Sequence, residues 1–97
     1  MDRSFKDKYV KDIKTDDVNV SVSGVIVNKE EDSIVLDDGT GQIFISNINT
    51  EINSDFLRVF GRVLNLDNEI RLQGFFIQDL SKIDKLLYKK VKDMINE

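Results

Sequence analysis

Residues 33–46 read Ser-Ile-Val-Leu-Asp-Asp-Gly-Thr-Gly-Gln-Ile-Phe-Ile-Ser, and this stretch decides the architecture of the chain. On both sides of Asp37–Gly41, apolar and polar residues alternate, which is the period of a half-buried β-strand. Asp-Gly between two such runs favours a β-hairpin, because both residues tolerate the positive φ of tight turns. No Gly-Lys-Ser/Thr sequence follows and no helical pattern begins there, so the glycines do not indicate a phosphate-binding loop.

The segments outside the hairpin predict three further strands. Val18–Val27 alternates until Gly24, and a glycine within a strand marks a bulge or a sharp bend. Phe56–Leu66 and Ile70–Ile77 alternate in the same way. A long first strand that bends can pair with two sheets and so close a barrel. The connection over residues 47–55 is expected to cover one end of that barrel. The chain is therefore predicted to be all-β with terminal helices, a five-stranded barrel of the OB-fold class; the alternative is another small barrel, such as an SH3-like one.

Both ends of the chain are predicted to be helical. Phe5, Tyr9 and Ile13 recur every four residues, which favours a short amphipathic helix over residues 2–14, with an extended arm as the alternative. Its expected role is to cover an open end of the core. The whole chain is interpreted as a single domain, with a lead-in over residues 1–16, a barrel over residues 17–79 and a C-terminal helix over residues 80–97.

The composition argues against several classes of protein. Among 97 residues there is no cysteine and no histidine, which removes disulfides, zinc fingers, thiol nucleophiles and the usual general base. Asp37 and Asp38 are adjacent, so in a strand they would point to opposite faces, and we interpret them as turn residues. We therefore expect no enzyme, no cofactor and no metal site. No apolar run approaches the ~20 residues that span a membrane, and the charged start carries no secretory signal, so an intracellular, cytoplasmic protein without membrane contact is expected.

Charge is unevenly distributed along the chain. The net charge is −4, and residues 18–79 alone contain ten acidic and four basic side chains. Non-specific binding to nucleic acid comes from lysines and arginines that neutralise phosphates, so an acidic barrel argues against strong binding by this chain alone.

The C-terminal segment carries more apolar surface than docking on its own barrel requires. Its apolar positions cover an arc of roughly 200°, whereas a helix packed on one core needs ~100° or a little more. The surplus predicts a contact with a partner; the alternative is a partly exposed helix with scattered apolar residues. The predicted interface consists of Leu80, Ile83, Leu86, Leu87, Val91, Met94 and Ile95.

Three stretches resemble a known family. Val20-Ser-Val-Ser-Gly-Val-Ile-Val27, Leu36-Asp-Asp-Gly-Thr-Gly-Gln-Ile43 and Leu57-Arg-Val-Phe-Gly-Arg-Val63 are similar to OB domains of replication protein A, and most of all to its small single-OB subunits and their archaeal relatives. Related OB proteins of telomere-capping complexes and recombination scaffolds share the second stretch. The resemblance implies a nucleoid-associated subunit of a single-stranded DNA-binding complex for replication and repair, whose C-terminal helix bundles with helices of other subunits.

The same resemblance implies where bases would stack. The family places aromatics on the third and fifth strands of the barrel, where this chain has Phe44 and Phe75. The chain lacks tryptophan, and its first inter-strand loop, Asn28–Asp32, is acidic, so we expect single-stranded DNA to bind only weakly to the isolated chain.

The alternation of side chains along the strands predicts one surface that is both basic and aromatic. The same alternation predicts that Phe76 points into the barrel and Ile77 points out of it. Arginines interleaved with aromatics suit a single strand, because the charges bind its backbone and the rings stack its bases. The alternative places Phe60 and Phe75 under the C-terminal helix or a partner, with the arginines paired to carboxylates; the protein would then be an OB-fold scaffold that binds only protein. The predicted nucleic-acid-binding residues are Phe44, Arg58, Phe60, Arg62, Arg71, Gln73 and Phe75.

Overall fold

The computed structural model of the chain describes residues 4–81 and 85–95, and the side chains of the last helix from residue 89 to residue 94. A short strand and a 3-10 helix precede five longer strands, and an α-helix follows them. In chain order these elements are β1 (Lys6–Asp7), the 3-10 helix (Val10–Asp12), β2 (Asn19–Lys29), β3 (Ile34–Asp37), β4 (Gln42–Ser46), β5 (Phe56–Leu66), β6 (Glu69–Asp79) and α1 (Lys85–Ile95).

The five longer strands close into a barrel. The strand order is β1-β2-β3-β4-β6-β5, and β2 also pairs with β5. Strand β2 achieves this by bending, since its first half pairs with β5 and its second half with β3. Gly24 lies at the changeover, where a Cβ atom would come within 2.5 Å of the carbonyl oxygen of Asp37. The predicted OB-fold and its bent first strand are confirmed.

The core follows the predicted alternation. In β3 and β4 the alternate residues Ile34, Leu36, Ile43 and Ile45 are buried, while Val35 and Phe44, which pair with each other, lie on the outer face with the polar residues. Ile48, from the connection between β4 and β5, is buried, and Ile52 packs against the core from the same connection. The largest fully buried side chains are Ile34, Leu36, Ile45, Leu57, Leu72, Leu80, Val20, Val22 and Val59.

The predicted orientation of the side chains at the end of β6 is wrong. Phe60 pairs with Phe76 and Gly61 pairs with Gly74, so Phe75 is an extra residue on β6 without a partner on β5. Such a β-bulge reverses the alternation beyond it. Phe76 therefore lies outside the barrel beside Phe60, and Ile77 packs against the core instead.

The N-terminal segment is extended where it was expected to be helical. Strand β1 runs parallel to β2, with Lys6 opposite Val20. The segment does cover the core, as predicted, because Ile13 is buried in it and Val10 packs against it. None of the helices in the described part of the chain has the length and apolar character that a membrane span requires.

Candidate nucleic-acid interface

The outer faces of β4, β6 and β5 form one continuous surface. The register of β4 and β6 places Ser46 beside Gln73, and the register of β6 and β5 places Gln73 beside Arg62. The seven residues predicted from the sequence all lie on this surface. Their outward orientation follows from the inward, buried neighbours that alternate with them, such as Ile45, Val59 and Leu72.

At one end of this surface a ring and a cation are in contact. The guanidinium carbon of Arg71 lies 5.1 Å from the centroid of the Phe44 ring, which is a cation–π distance. Arg71 is also in an ion pair with Glu69, with 3.1 Å between Nη2 and Oε2. The charge of Arg71 is therefore partly neutralised, as the alternative hypothesis expected for the arginines.

At the other end lie four of the six phenylalanines of the chain, Phe5, Phe60, Phe75 and Phe76, here named the phenylalanine cluster. Phe60 and Phe76 are stacked, with ring centroids 4.6 Å apart and an interplanar angle of 26°. Phe5 meets Phe60, Phe75 and Phe76 edge-on at centroid distances between 5.5 and 6.1 Å. Phe75 and Phe76 nevertheless remain 51% and 54% exposed.

Two arginines border the phenylalanine cluster. The guanidinium carbon of Arg58 lies 5.9 Å from the centroid of Phe60, and its Nη1 donates to Oε1 of Gln78 at 3.2 Å. Arg62 is exposed one position further along the same face of β5. Strands β5 and β6 contain three arginines, and their two acidic residues, Glu69 and Asp79, are the first and last residues of β6. The two strands therefore carry a small net positive charge within an acidic chain.

Sequence reasoning missed Phe5 and Phe76 as members of this surface. Phe5 reaches it because β1 is extended along β2, which helical spacing could not indicate. Phe76 reaches it because of the bulge, and Gly74 was an available signal, since a glycine within a strand often accompanies a bulge. Under the alternative hypothesis the C-terminal helix or a partner covers Phe60 and Phe75; among the described residues, Phe5 contacts both rings.

The hairpin motif has a structural role. The carboxylate of Asp38 accepts hydrogen bonds from the Val10 and Thr40 amides at 2.8 and 2.9 Å and from the Thr40 hydroxyl at 2.7 Å. Asp37 accepts one from the amide of Gly39. Both aspartates are turn residues, as predicted, and Asp38 also ties the N-terminal segment to the hairpin. In the part of the chain that the structure describes, no group of acidic residues could hold a metal ion.

Among residues 89–94 of α1, whose side chains the structure describes, the buried contact with the rest of the chain is made by a lysine. Lys92 is only 4% exposed, and its Nζ donates to the carbonyl oxygen of Lys8 at 3.0 Å. The same atom lies 3.7 Å from Oδ1 of Asp7 and 4.6 Å from the centroid of the Tyr9 ring. Burial lowers the pKa of Lys92, and the nearby carboxylates of Asp7 and Asp38 oppose that shift.

Two apolar side chains of α1 are exposed. Val91 is 47% exposed and Met94 is 73% exposed, although both are apolar. Leu80, which was predicted to be part of the interface, is 1% exposed, and its amide donates to the carbonyl of Phe56 at 2.9 Å. That prediction is wrong, because Leu80 belongs to the core of its own chain. Of the remaining predicted interface residues, Ile83 and the side chains of Leu86, Leu87 and Ile95 lie outside the described residues.

No protein-family model and no curated protein matches the sequence. Solved structures do share its fold. The chain is similar to the telomere capping protein Ten1 from Saccharomyces pombe, with a TM-score of 0.73 and 15% identity over 96% of this chain and 98% of that one. It is also similar to a chain of the S. pombe Stn1–Ten1 complex, with a TM-score of 0.76 and 15% identity over 96% of this chain and 92% of that one.

A further similar structure is the hypothetical protein ygiW from E. coli, with a TM-score of 0.55 and 24% identity over 77% of this chain and 88% of that one. At these identities the likeness shows a shared fold, and this fold agrees with the strand order and the barrel closure described above.

Proposed function

We propose that this chain is a non-enzymatic OB-fold subunit of a complex that binds single-stranded DNA and that it joins the complex through α1. The observation that carries the proposal is the outer face of β4, β6 and β5, where aromatic rings lie among three arginines, one of which, Arg71, is in an ion pair with Glu69. Rings that stack bases beside cations that bind phosphates are what a single-strand platform requires.

The open side of α1 supports the second half of the proposal. A helix that docks through a buried lysine and exposes Val91 and Met94 leaves apolar surface for another subunit. Among the similar structures, Ten1 is a telomere capping protein, and one is a chain of the complex between Stn1 and Ten1. The finer assignment, to a complex like replication protein A, rests on the sequence resemblance.

A salt titration tests the nucleic-acid half of this proposal. Binding of a labelled oligothymidylate is followed by fluorescence anisotropy at increasing salt. Single strands give a slope of log K against log salt of about −0.7 per phosphate contacted, so two or three contacts predict about −1.4 to −2.1. Arg58→Gln together with Arg62→Gln should remove most of that slope. Lys29→Gln is the matched control. Lys29 is an exposed cation at the end of β2, where this strand pairs with β3, and it is not part of the surface of β4, β6 and β5.

A second candidate function is a scaffold subunit that binds only protein. The net charge of −4 and the half-exposed phenylalanine cluster favour it, because apolar patches on acidic surfaces commonly meet other proteins. The scaffold function replaces the DNA-binding function under two results. The unmodified chain does not bind the oligonucleotide at low ionic strength, and Phe44→Ala does not change oligonucleotide binding by the assembled complex.

A further inference from the structure

A cavity of about 310 Å³ lies between the barrel and α1. Its barrel side is formed by β2 at Ser23–Val25 and by the hairpin turn at Asp37–Gly39. Its other side is formed by Tyr9 and by two lysines of α1, Lys89 and Lys92. None of the described lining residues is among the seven predicted nucleic-acid-binding residues, so the cavity is a separate feature of the molecule.

The walls of this cavity are mostly apolar. They include the side chains of Val25 and Phe56 and the ring of Tyr9. An apolar cavity of about 150 Å³ is large enough to bind benzene, so about twice that volume has room for two fused rings. Clefts that are lined by apolar groups and a few convergent polar groups are typical of small-molecule sites.

The acidic groups of the lining already have hydrogen-bond partners. Both carboxylate oxygens of Asp37 accept hydrogen bonds, and so do both oxygens of Asp38. The ammonium group of Lys92 is likewise engaged, by the carbonyl of Lys8 and the carboxylate of Asp7. These three side chains therefore have little hydrogen-bonding capacity left for a ligand.

Lys89 is different from the other charged residues of the cavity. Among the groups that the structure describes, it has no hydrogen-bond partner and no ion-pair partner. Its Nζ lies 3.9 Å from the position that a Cβ atom would take at Gly39, whose φ of 88° favours glycine. The unused polar capacity of the cavity is thus a cationic donor at its edge, which selects a ligand with an anionic acceptor.

We propose that the cavity between the barrel and α1 binds a small carboxylic acid with an apolar body of about two fused rings, whose carboxylate pairs with Lys89. The proposal does not depend on nucleic-acid binding, because the site lies outside the surface of β4, β6 and β5. A ligand in this cavity contacts both the barrel and α1. Its binding therefore stabilises the docked position of the helix.

Naphthoate is the probe for this site, and naphthamide is its uncharged control of the same shape. Binding is followed in amide nitrogen–proton correlation NMR spectra of the unmodified chain. Gly24 and Gly39 line the cavity, whereas Gly61 and Gly74 pair with each other between β5 and β6. We expect naphthoate to shift the first two resonances saturably and to leave the other two in place. Naphthamide should bind more weakly.

Variants test the role of the lysine and of the cavity. Lys89→Gln should weaken naphthoate binding about 1.5- to 5-fold, the worth of an exposed ion pair, and remove its advantage over naphthamide. Lys90→Gln is the matched control, since Lys90 is an exposed neighbour on α1 that does not line the cavity. Val25→Phe adds a ring to the wall and should abolish binding of both probes. Thermal unfolding of each variant shows whether the barrel is intact.

Three results would overturn the proposal. Resonances of Gly24 and Gly39 that do not move at millimolar naphthoate would show that the cavity is not a site. Equal affinities of the unmodified chain for naphthoate and naphthamide, or of Lys89→Gln and Lys90→Gln for naphthoate, would show that Lys89 does not select an anion. Shifts confined to Gly61 and Gly74 would place the probe elsewhere on the barrel. The oligonucleotide titration tests the proposed function independently of these results.

Discussion

At the scale of single residues, Lys92 forms a buried contact between the last helix and the N-terminal segment of the chain. It is a buried ammonium group with a carbonyl, a carboxylate and an aromatic ring around it, all from residues 7–9. Removing a cation from water is costly unless such partners replace the lost hydration. Here they replace only part of it, since burial lowers the pKa of Lys92 despite the attraction of Asp7 and Asp38.

This lowered pKa predicts how stability depends on pH. The folded chain binds the Lys92 proton less tightly than the unfolded chain does, so the free energy of unfolding should rise with pH up to about 10.5, the ordinary lysine value. The measurement is urea unfolding across that range for the unmodified chain and for Lys92→Met. The difference between the two free energies should grow in favour of the unmodified chain as pH increases.

Lys90→Met is the control for this experiment. Lys90 is an exposed lysine of the same helix, so its replacement makes the same change of residue without removing a buried ammonium group. Identical pH profiles for Lys92→Met and Lys90→Met would contradict the prediction.

At the scale of elements, α1 exposes apolar side chains. Among residues 89–94, whose side chains the structure describes, Lys92 is buried while Val91 and Met94 face outward. A helix whose only contact was its own barrel would place its apolar stripe inward. The N-terminal segment makes this orientation possible, because Lys8 and Asp7 provide the acceptors that Lys92 needs and Tyr9 donates a hydrogen bond to Asp93.

The open face of α1 should be needed for assembly but not for folding. Val91→Asp combined with Met94→Asp should leave the melting temperature within a few degrees, since both residues are exposed and surface substitutions usually change stability by less than ~0.5 kcal/mol. The same change should abolish association with other subunits and any self-association. Co-purification from the native source and sedimentation velocity provide the readouts.

Lys89→Asp is the matched variant, because Lys89 is exposed on the same helix and is not three or four residues from Val91 or Met94. It should remain associated. A folded Val91→Asp, Met94→Asp protein that still assembles fully would show that the interface lies elsewhere.

At the scale of the whole molecule, closure of the barrel depends on a close backbone contact. Strand β2 passes from β5 to β3 at Gly24, whose Cα faces the carbonyl of Asp37. Because β2 pairs with both β3 and β5, the barrel closes only if the backbones of β2 and β3 can approach each other at this point.

Gly24→Ala should therefore destabilise the whole fold. The new Cβ would lie 2.5 Å from the Asp37 oxygen and 2.9 Å from its carbonyl carbon, so the backbone of one strand must move. Overpacking of this kind costs about 1–3 kcal/mol, and here the loss should appear in the cooperative urea transition. Asn28→Ala, at an exposed position of the same strand, should leave the transition unchanged. Equal stability of the two variants would mean that the strands have room to separate at Gly24.

The pattern of residues within single segments was sufficient to predict most of the barrel. The bounds of β4 and β5 agree with those predicted, and so do the turn role of Asp37 and Asp38 and the bend at Gly24. These features depend on alternation, turn chemistry and the missing side chain of glycine, all of which are properties of residues close in sequence.

The facing of Phe76, the extended path of Phe5 and the orientation of α1 were decided only in the folded molecule. Each results from contacts between distant segments: a bulge needs a partner strand to define it, β1 needs the edge of β2, and Lys92 needs the acceptors of residues 7 and 8. Residue types and spacing within one segment carry no information about such partners, because the free energy that selects them arises between segments far apart in the chain.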